Sequence, residues 1–186
     1  MMTANRSIVF EKNKFYHIYN RGHNKQQIFF DPKDYDRFYQ NIARFRLVCP
    51  SIQIISWCFL PNHFHFLMID KSLDKSSDTY PEDTYPKTEQ ISIFMQKLQQ
   101  AYAAFFNTKY GESIKEGKKG PVFEGRFKAK LVEDEDYLLQ IKQYIEWNAV
   151  KHEIVDKPED WEYTSFIPGA ADVETEVGLE FNPYFE

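Results

Sequence analysis

The fold is decided by residues 51–70, which read SIQIISWCFL, then PN, then HFHFLMID. Residues 51–60 and 63–70 are both rich in β-branched and aromatic residues, as strands are. Pro61-Asn62 between them is typical of a turn. The stretch therefore predicts a β-hairpin with a two-residue connection.

Side chains of the second strand alternate between the two faces of the sheet. His63 and His65 therefore share one face, and Phe64, Phe66 and Met68 share the other. The apolar face suits packing against helices. The two imidazoles then lie close enough to share one metal ion, although two ordinary strand histidines would give the same pattern.

Working outward from the hairpin, the periodicity predicts five further elements. They are a strand at 14–20, a helix from Pro32 (N-capped by Asp31) to before Cys49, a helix at about 88–109, a strand at 127–132, and a last helix from Asp134 or Asp136 to about 150. The order β-α-β-β-α-β-α predicts an α+β fold. Its first six elements match a ferredoxin-like βαββαβ antiparallel sheet with two helices on one face. The additional C-terminal helix is then free to cross the other face.

The length of 186 residues and the composition, 42% hydrophobic and 17% aromatic, predict a single packed domain and exclude a disordered chain. We expect the domain to span residues 1–165. A polar, proline-punctuated loop at about 71–87 is expected to be mobile, and residues 111–120 are predicted to form a basic loop. Residues 166–186 are expected to form an acidic tail.

Membrane and secreted classes are disfavoured by the sequence. No run approaches the about 20 apolar residues that a membrane helix needs, and no secretory signal is evident. Cys49 and Cys58 form no paired framework, so free thiols in a reducing cytoplasm are the simplest interpretation.

The formal net charge of −5 is unevenly distributed. Residues 156–186 carry a net charge of −8, and residues 1–155 carry a net charge of +3. The acidic balance of the whole chain therefore does not argue against a nucleic-acid partner for its larger part.

The last predicted helix carries a second group of polar residues. Tyr137, Ile141, Tyr144 and Asn148 recur at intervals that place them on one stripe. The Tyr144 hydroxyl is a potential nucleophile, and the Asn148 amide oxygen one turn later could complete a metal site. An amphipathic helix with a half-buried tyrosine is the alternative interpretation.

The segments PNHFHFLM and QYIEWNAVKH together resemble the single-tyrosine HUH transposases, in their REP-associated tyrosine transposase branch. Further similar segments are YHIYNRGHNKQQIF, GPVFEGRFKAKLV and WEYTSF. The resemblance implies that His63 and His65 are metal ligands, that Tyr144 is the catalytic nucleophile, and that Asn148 is a third ligand. It implies Mg²⁺ or Mn²⁺ as the metal. The chain departs from the family pattern at Ala149, where relatives usually have proline.

The resemblance also implies a function. We expect metal-dependent nicking and rejoining of single-stranded or hairpin DNA, at palindromic sites, through a 5′-phosphotyrosine. The protein would act as a monomer or homodimer in the cytoplasm, associated with the nucleoid. Two alternatives stay open. They are a domesticated, non-catalytic DNA-binding protein and a metal-dependent hydrolytic nuclease in which Tyr144 is structural.

Several other side chains are candidates for DNA contacts or auxiliary roles. The predicted phosphate contacts are Arg21, Lys118, Lys119, Arg126, Lys128 and Lys130. The auxiliary candidates are His17, which could assist the metal site or orient a phosphate, and Asn20. The candidates for stacking on unpaired bases, with core packing as the alternative, are Tyr16, Tyr19, Trp57 and Trp147.

Overall fold

A computed structural model describes residues 9–71, 90–114 and 120–168 of the chain. The predicted mobile loop after residue 71, the candidates Lys118 and Lys119, and the tail from residue 169 onward lie outside the described residues.

Four strands form one antiparallel sheet in the order β2-β3-β1-β4. They are β1 (Phe15–Arg21), β2 (Ile52–Leu60), β3 (His63–Asp70) and β4 (Lys128–Val132). Leu60 pairs with His63, so the connection of the β2–β3 hairpin is Pro61-Asn62, as predicted. The strand order is that of a ferredoxin-like sheet, and the predicted fold class is confirmed.

Two helices cover the apolar face of β3. They are α1 (Pro32–Arg46) and α2 (Gln90–Ile114). Asp31 caps α1 and shares a reciprocal capping box with Asp34, which satisfies backbone N–H groups that the first turn leaves free. The core beneath these helices is largely aromatic, and includes Phe38, Phe59, Phe64, Phe66, Phe94 and Tyr102. Although α2 has 25 residues, no helix in the described ranges is both long and apolar enough to cross a membrane.

The opposite face of the sheet is crossed by the additional C-terminal helix that the sequence predicts. It comprises α3 (Glu135–Glu146), which the Asp134 carboxylate caps by accepting a hydrogen bond from the Tyr137 N–H at 2.7 Å, and the short α4 (Asn148–Lys151). This second, smaller core contains Cys58, Leu60, Leu67, Val132, Ile141, Ile145 and Ala149.

The chain after α4 returns to the outer edge of β2. The Phe59 N–H donates to the Tyr163 carbonyl at 2.8 Å, and the Ser165 N–H donates to the Trp57 carbonyl at 2.9 Å. The Ser165 hydroxyl also donates to the buried Glu146 carboxylate at 3.2 Å. This segment therefore joins the edge of the sheet to the last turn of α3.

Two helix ends differ from the sequence prediction. The second helix does not end at residue 109 but continues past Gly111 to Ile114, so the predicted basic loop begins later. Gly111 faces open space, since a Cβ there would meet nothing within 4 Å. In the same turn, Lys109 and Tyr110 hydrogen-bond to Asp34 of α1. The last helix does not run unbroken to residue 150, because Trp147 has φ −91° and ψ 8° and separates α3 from α4.

Asp34 holds the two helices of the main core together and provides a stability test. Its fully buried carboxylate accepts hydrogen bonds from Lys109 Nζ at 2.7 Å and from the Tyr110 hydroxyl at 2.8 Å. We expect Asp34→Ala to lower the free energy of unfolding by about 2–4 kcal/mol, because it removes a helix cap and leaves buried donors without an acceptor. Urea unfolding followed by circular dichroism measures the change.

The matched control is Asp36→Ala, an exposed carboxylate of the same helix. We expect it to change the free energy of unfolding by no more than about 0.5 kcal/mol. Equal losses in the two variants would contradict the role given to Asp34.

Candidate active site

The face of the sheet that α3 crosses carries a cluster of histidines. His63 and His65 lie on this face of β3, and the strand register places Arg21 opposite His63 and Tyr19 opposite His65 on β1. Cross-strand partners project to the same face, and so does His17, two residues before Tyr19. The two central strands therefore present these five side chains side by side.

The α3–α4 segment places two further side chains against the histidines. The centroid of the Tyr144 ring lies 5.9 Å from that of His65 and 6.0 Å from that of His17. The ring of His152 lies 4.8 Å from that of His63. One chain therefore brings together the predicted nucleophile and both predicted histidine ligands.

Each of the two predicted ligand histidines has its Nδ1 atom engaged. His63 Nδ1 donates to Asn62 Oδ1 at 2.6 Å, since an amide oxygen only accepts, and its Nε2 keeps a lone pair. His65 Nδ1 lies 2.9 Å from His17 Nε2. When His65 is the donor in that bond, its Nε2 also carries a lone pair. Such neighbours orient an imidazole and select the tautomer that binds a metal ion.

Burial lowers the pKa of all three histidines. The pKa of His63 falls to about 4, mainly by desolvation and further because His152 is close. The pKa of His17 falls to about 4, mainly by desolvation and further because Lys130 is close. Desolvation holds the pKa of His65 well below its usual range. At neutral pH the three imidazoles are therefore uncharged, which is the form that coordinates metals.

Asn148 has an unsatisfied oxygen at this site. Its side chain is fully buried, and its Nδ2 donates to the Tyr144 carbonyl at 3.2 Å. Its amide lies beside His63, where it opposes the fall in the pKa of that imidazole. Among the described residues, no partner satisfies the geometry of a hydrogen bond to Asn148 Oδ1. A buried acceptor of this kind calls for an explanation, and a cation is one.

The donor set fits a divalent cation. In the described ranges no three His, Cys, Asp or Glu side chains are grouped to hold a metal ion. A metal at this site would therefore use the two Nε2 atoms of His63 and His65 with a donor of another type, and Asn148 Oδ1 is the buried oxygen beside them. An oxygen donor suits Mg²⁺ or Mn²⁺ better than two imidazoles alone would.

Sequence reasoning did not single out Lys151 or His152, which the structure adds to this cluster. Lys151 Nζ lies 4.3 Å from the centroid of the Tyr144 ring, within the range of a cation–π contact. The available signal was spacing, because His152 follows Asn148 by one helical turn and continues the stripe on which Tyr144 lies.

The structure does not bring Asn20, a predicted auxiliary residue, to this cluster. Alternation along β1 turns it to the face that α1 and α2 cover, where it is buried. Its Nδ2 donates to the Gly125 carbonyl at 3.1 Å, and its Oδ1 accepts the Arg21 N–H at 2.9 Å. These contacts hold the loop before β4 against β1.

The predicted phosphate-binding residues that the structure describes lie around the histidine cluster in three different settings. Arg21 is on the same face as the histidines, and its guanidinium binds both carboxylate oxygens of Glu124. Lys128 and Lys130 are exposed on β4, opposite Tyr19 and His17 respectively. Lys130 Nζ also donates to the Tyr137 hydroxyl at 2.7 Å. Arg126 is exposed, and its Cζ lies 5.6 Å from the centroid of the Phe127 ring.

Known proteins resemble this chain in sequence and in fold. No family model matches the chain. A protein of Haemophilus influenzae described as a REP-associated tyrosine transposase is 32% identical over 117 residues, which are 61% of this chain and 58% of that protein. The chain thus spans less than two thirds of the length of that relative.

The fold has a solved counterpart. The structure of a REP-associated tyrosine transposase bound to a REP hairpin superposes with a TM-score of 0.63 at 16% identity, covering 88% of this chain and 83% of the other. At that identity the likeness shows the fold. The sequence match bears out the resemblance predicted from the motifs: this chain is similar in sequence to one REP-associated tyrosine transposase and shares the fold of a solved one.

Proposed function

We propose that this protein nicks and rejoins single-stranded or hairpin DNA through a covalent bond between Tyr144 and a 5′ phosphate. The observation that carries the proposal is the position of the Tyr144 ring, 5.9 Å from the ring of His65 in the same chain. A tyrosine beside a pair of uncharged histidines combines a nucleophile with metal ligands in one site.

The reaction is a phosphoryl transfer in which the energy of the phosphodiester bond is conserved. The Tyr144 oxygen attacks phosphorus, and the bond between phosphorus and the 3′ oxygen breaks. The phenol loses its proton, and the departing 3′ oxygen gains one. The reverse attack by a 3′ hydroxyl restores the strand, so rejoining needs no nucleotide cofactor.

A divalent cation, Mg²⁺ or Mn²⁺, held by His63, His65 and Asn148 would polarise the phosphate and offset the charge that develops on it. The protein's own side chains have separate tasks. The Lys151 ammonium, 4.3 Å from the Tyr144 ring, holds that ring and places a positive charge beside the phosphate that would be bound there.

DNA would approach along the basic side of the site. Lys128 and Lys130 are exposed beside the histidine cluster and are suited to bind phosphates, while Arg21 would first have to leave Glu124. Because Tyr144 and the histidines come from the same chain, we infer that a monomer suffices for cleavage. We expect the protein to act in the cytoplasm, on DNA of the nucleoid.

The first prediction concerns the covalent intermediate. With Mn²⁺ and a labelled hairpin oligonucleotide from the palindromes that flank its gene, the protein should form a protein–DNA band that survives denaturation. Tyr144→Phe should abolish this band, because it removes the attacking oxygen and keeps the ring. Denaturing gel electrophoresis makes the measurement.

The control is Tyr163→Phe, which removes a tyrosine hydroxyl from a ring that stacks on Tyr35 outside the cluster. It should leave the band intact. Cleavage without a covalent band in Tyr144→Phe would instead identify a hydrolytic nuclease, and DNA binding without any cleavage by the unmutated protein would identify a non-catalytic binding protein.

The second prediction concerns metal binding as a function of pH. Since the pKa of His63 is about 4, we expect Mn²⁺ affinity to change little between about pH 7 and pH 5.5. If the two ligand histidines titrated near the ordinary value of 6.5, affinity would fall by roughly two orders of magnitude over this interval. Mn²⁺ titrations followed by electron paramagnetic resonance distinguish the two cases.

The matched control is His63→Ala, which should weaken Mn²⁺ binding at every pH in this interval. Circular dichroism at each pH verifies that the protein remains folded. A steep loss of affinity in the folded, unmutated protein between pH 7 and pH 5.5 would contradict the assignment of His63 and His65 as buried, uncharged ligands.

A further inference from the structure

The α3 helix covers only part of the face on which the histidines lie. Its apolar residues pack against side chains of β2 and β3 and against the end of β4, namely Cys58, Leu60, Leu67 and Val132. On the same face, Tyr19, Arg21 and Lys128 are not part of that apolar cluster, and Lys128 is exposed. We call these three residues the open strip.

Tyr19 lies in the middle of the open strip. Its ring centroid is 5.7 Å from that of His65, at an interplanar angle of 28°, and 5.1 Å from that of His17, at 33°. The ring is therefore roughly parallel to both imidazoles, which fix its orientation. Its side chain is partly exposed, unlike those of the two histidines. A held aromatic ring at the border of a site is a surface on which a flat ligand can stack.

The other aromatic candidates for stacking lie elsewhere. Tyr16 is only 1% exposed, within the main core. The indole N–H of Trp57 donates to the Tyr39 hydroxyl at 3.1 Å, and this ring packs against the same core. Trp147 is exposed, and its ring contacts that of Phe166, with the centroids 6.5 Å apart. Of the four aromatic candidates, Tyr19 is the one whose ring contacts the histidine cluster.

Charge around Tyr19 matches a nucleic-acid backbone. Lys128 is its exposed cross-strand partner on β4. Arg21, the next residue on the same face of β1, is paired with Glu124 and can meet a phosphate once it leaves that carboxylate. An aromatic ring between cationic side chains is the usual arrangement for binding single strands, since bases stack on the ring while phosphates meet the charges.

We propose that Tyr19 is the stacking platform for an unpaired base of the DNA strand next to the phosphate that Tyr144 attacks. Lys128 binds the neighbouring phosphate, and the platform thereby sets which phosphodiester bond faces the nucleophile. The assignment rests on the proposed function for the identity of the strand, and it adds a base-binding subsite to that function.

The test measures binding without cleavage. In a Tyr144→Phe background, the hairpin oligonucleotide carries a single-stranded extension in which each nucleotide is replaced in turn by an abasic one. At one position we expect the abasic replacement to weaken binding five- to a hundredfold, which corresponds to the loss of one stacked base. Tyr19→Leu should weaken binding of the intact oligonucleotide by a similar factor.

The decisive result is the combination of the two changes. Tyr19→Leu with the abasic oligonucleotide should bind no more weakly than either change alone, since both remove the same contact. Tyr19→Phe should bind within about twofold of Tyr19, because the ring is kept. Additive losses at every position, or a Tyr19→Phe variant as weak as Tyr19→Leu, would overturn the proposal.

Two further measurements guard the interpretation. Unchanged Mn²⁺ binding by Tyr19→Leu verifies that the histidine cluster is intact. With Tyr19 itself unaltered, 2-aminopurine at the sensitive position should lose fluorescence on binding, and the absence of quenching at every position would also overturn the proposal. A third outcome separates the two proposals. If the binding losses from Tyr19→Leu and from the abasic nucleotide are not additive, but the unmutated protein forms no covalent band through Tyr144, the stacking platform is upheld and the nicking function is refuted.

Discussion

Alternation along β3 is the constraint on which both the core and the candidate active site depend. Phe64, Phe66 and Met68 face α1 and α2, and His63 and His65 face α3, which carries Tyr144. A slip by one residue would expose three large apolar side chains, each worth about 1.5–3 kcal/mol when buried, and would place two imidazoles in an aromatic core. The side chains that stabilise the sheet therefore also determine where the chemistry can occur.

Covering the histidine-bearing face of the sheet removes polar side chains from water, and hydrogen bonds within the site offset that loss. Packing α3 across the sheet desolvates the histidines, which lowers their pKa values and keeps them uncharged. The Nδ1 atoms are engaged by close neighbours, Asn62 for His63 and His17 for His65. Near the histidines, the Oδ1 atom of Asn148 is buried and has no hydrogen-bond partner among the described residues, and a cation would supply one. Burial thus both stabilises the domain and keeps these imidazoles in the uncharged form.

Local chemistry made much of this architecture predictable. The turn at Pro61-Asn62 and the N-cap Asp31 each act within a few residues, so the sequence alone locates the hairpin and the start of α1. The end of α2 was not predictable, because contacts of its last turns with Asp34 outweigh the local preference of Gly111 to end a helix. Spacing places His152 on the stripe of Tyr144, but its contact with His63 was not predictable, since that contact depends on the break at Trp147 and on how the helix crosses the sheet.

The segment that follows α4 determines when, during synthesis, the candidate site can be complete. Glu146 lies between Tyr144 and Asn148 along the helix, and its carboxylate and carbonyl accept hydrogen bonds from Ser165 and Thr164. During synthesis the histidine hairpin leaves the ribosome long before these residues do. A nascent chain that has not yet released residue 165 lacks the hydrogen bonds that hold the last turn of α3, which carries Tyr144. The candidate site is therefore complete only after residue 165 has been released, well after the strands that carry its histidines.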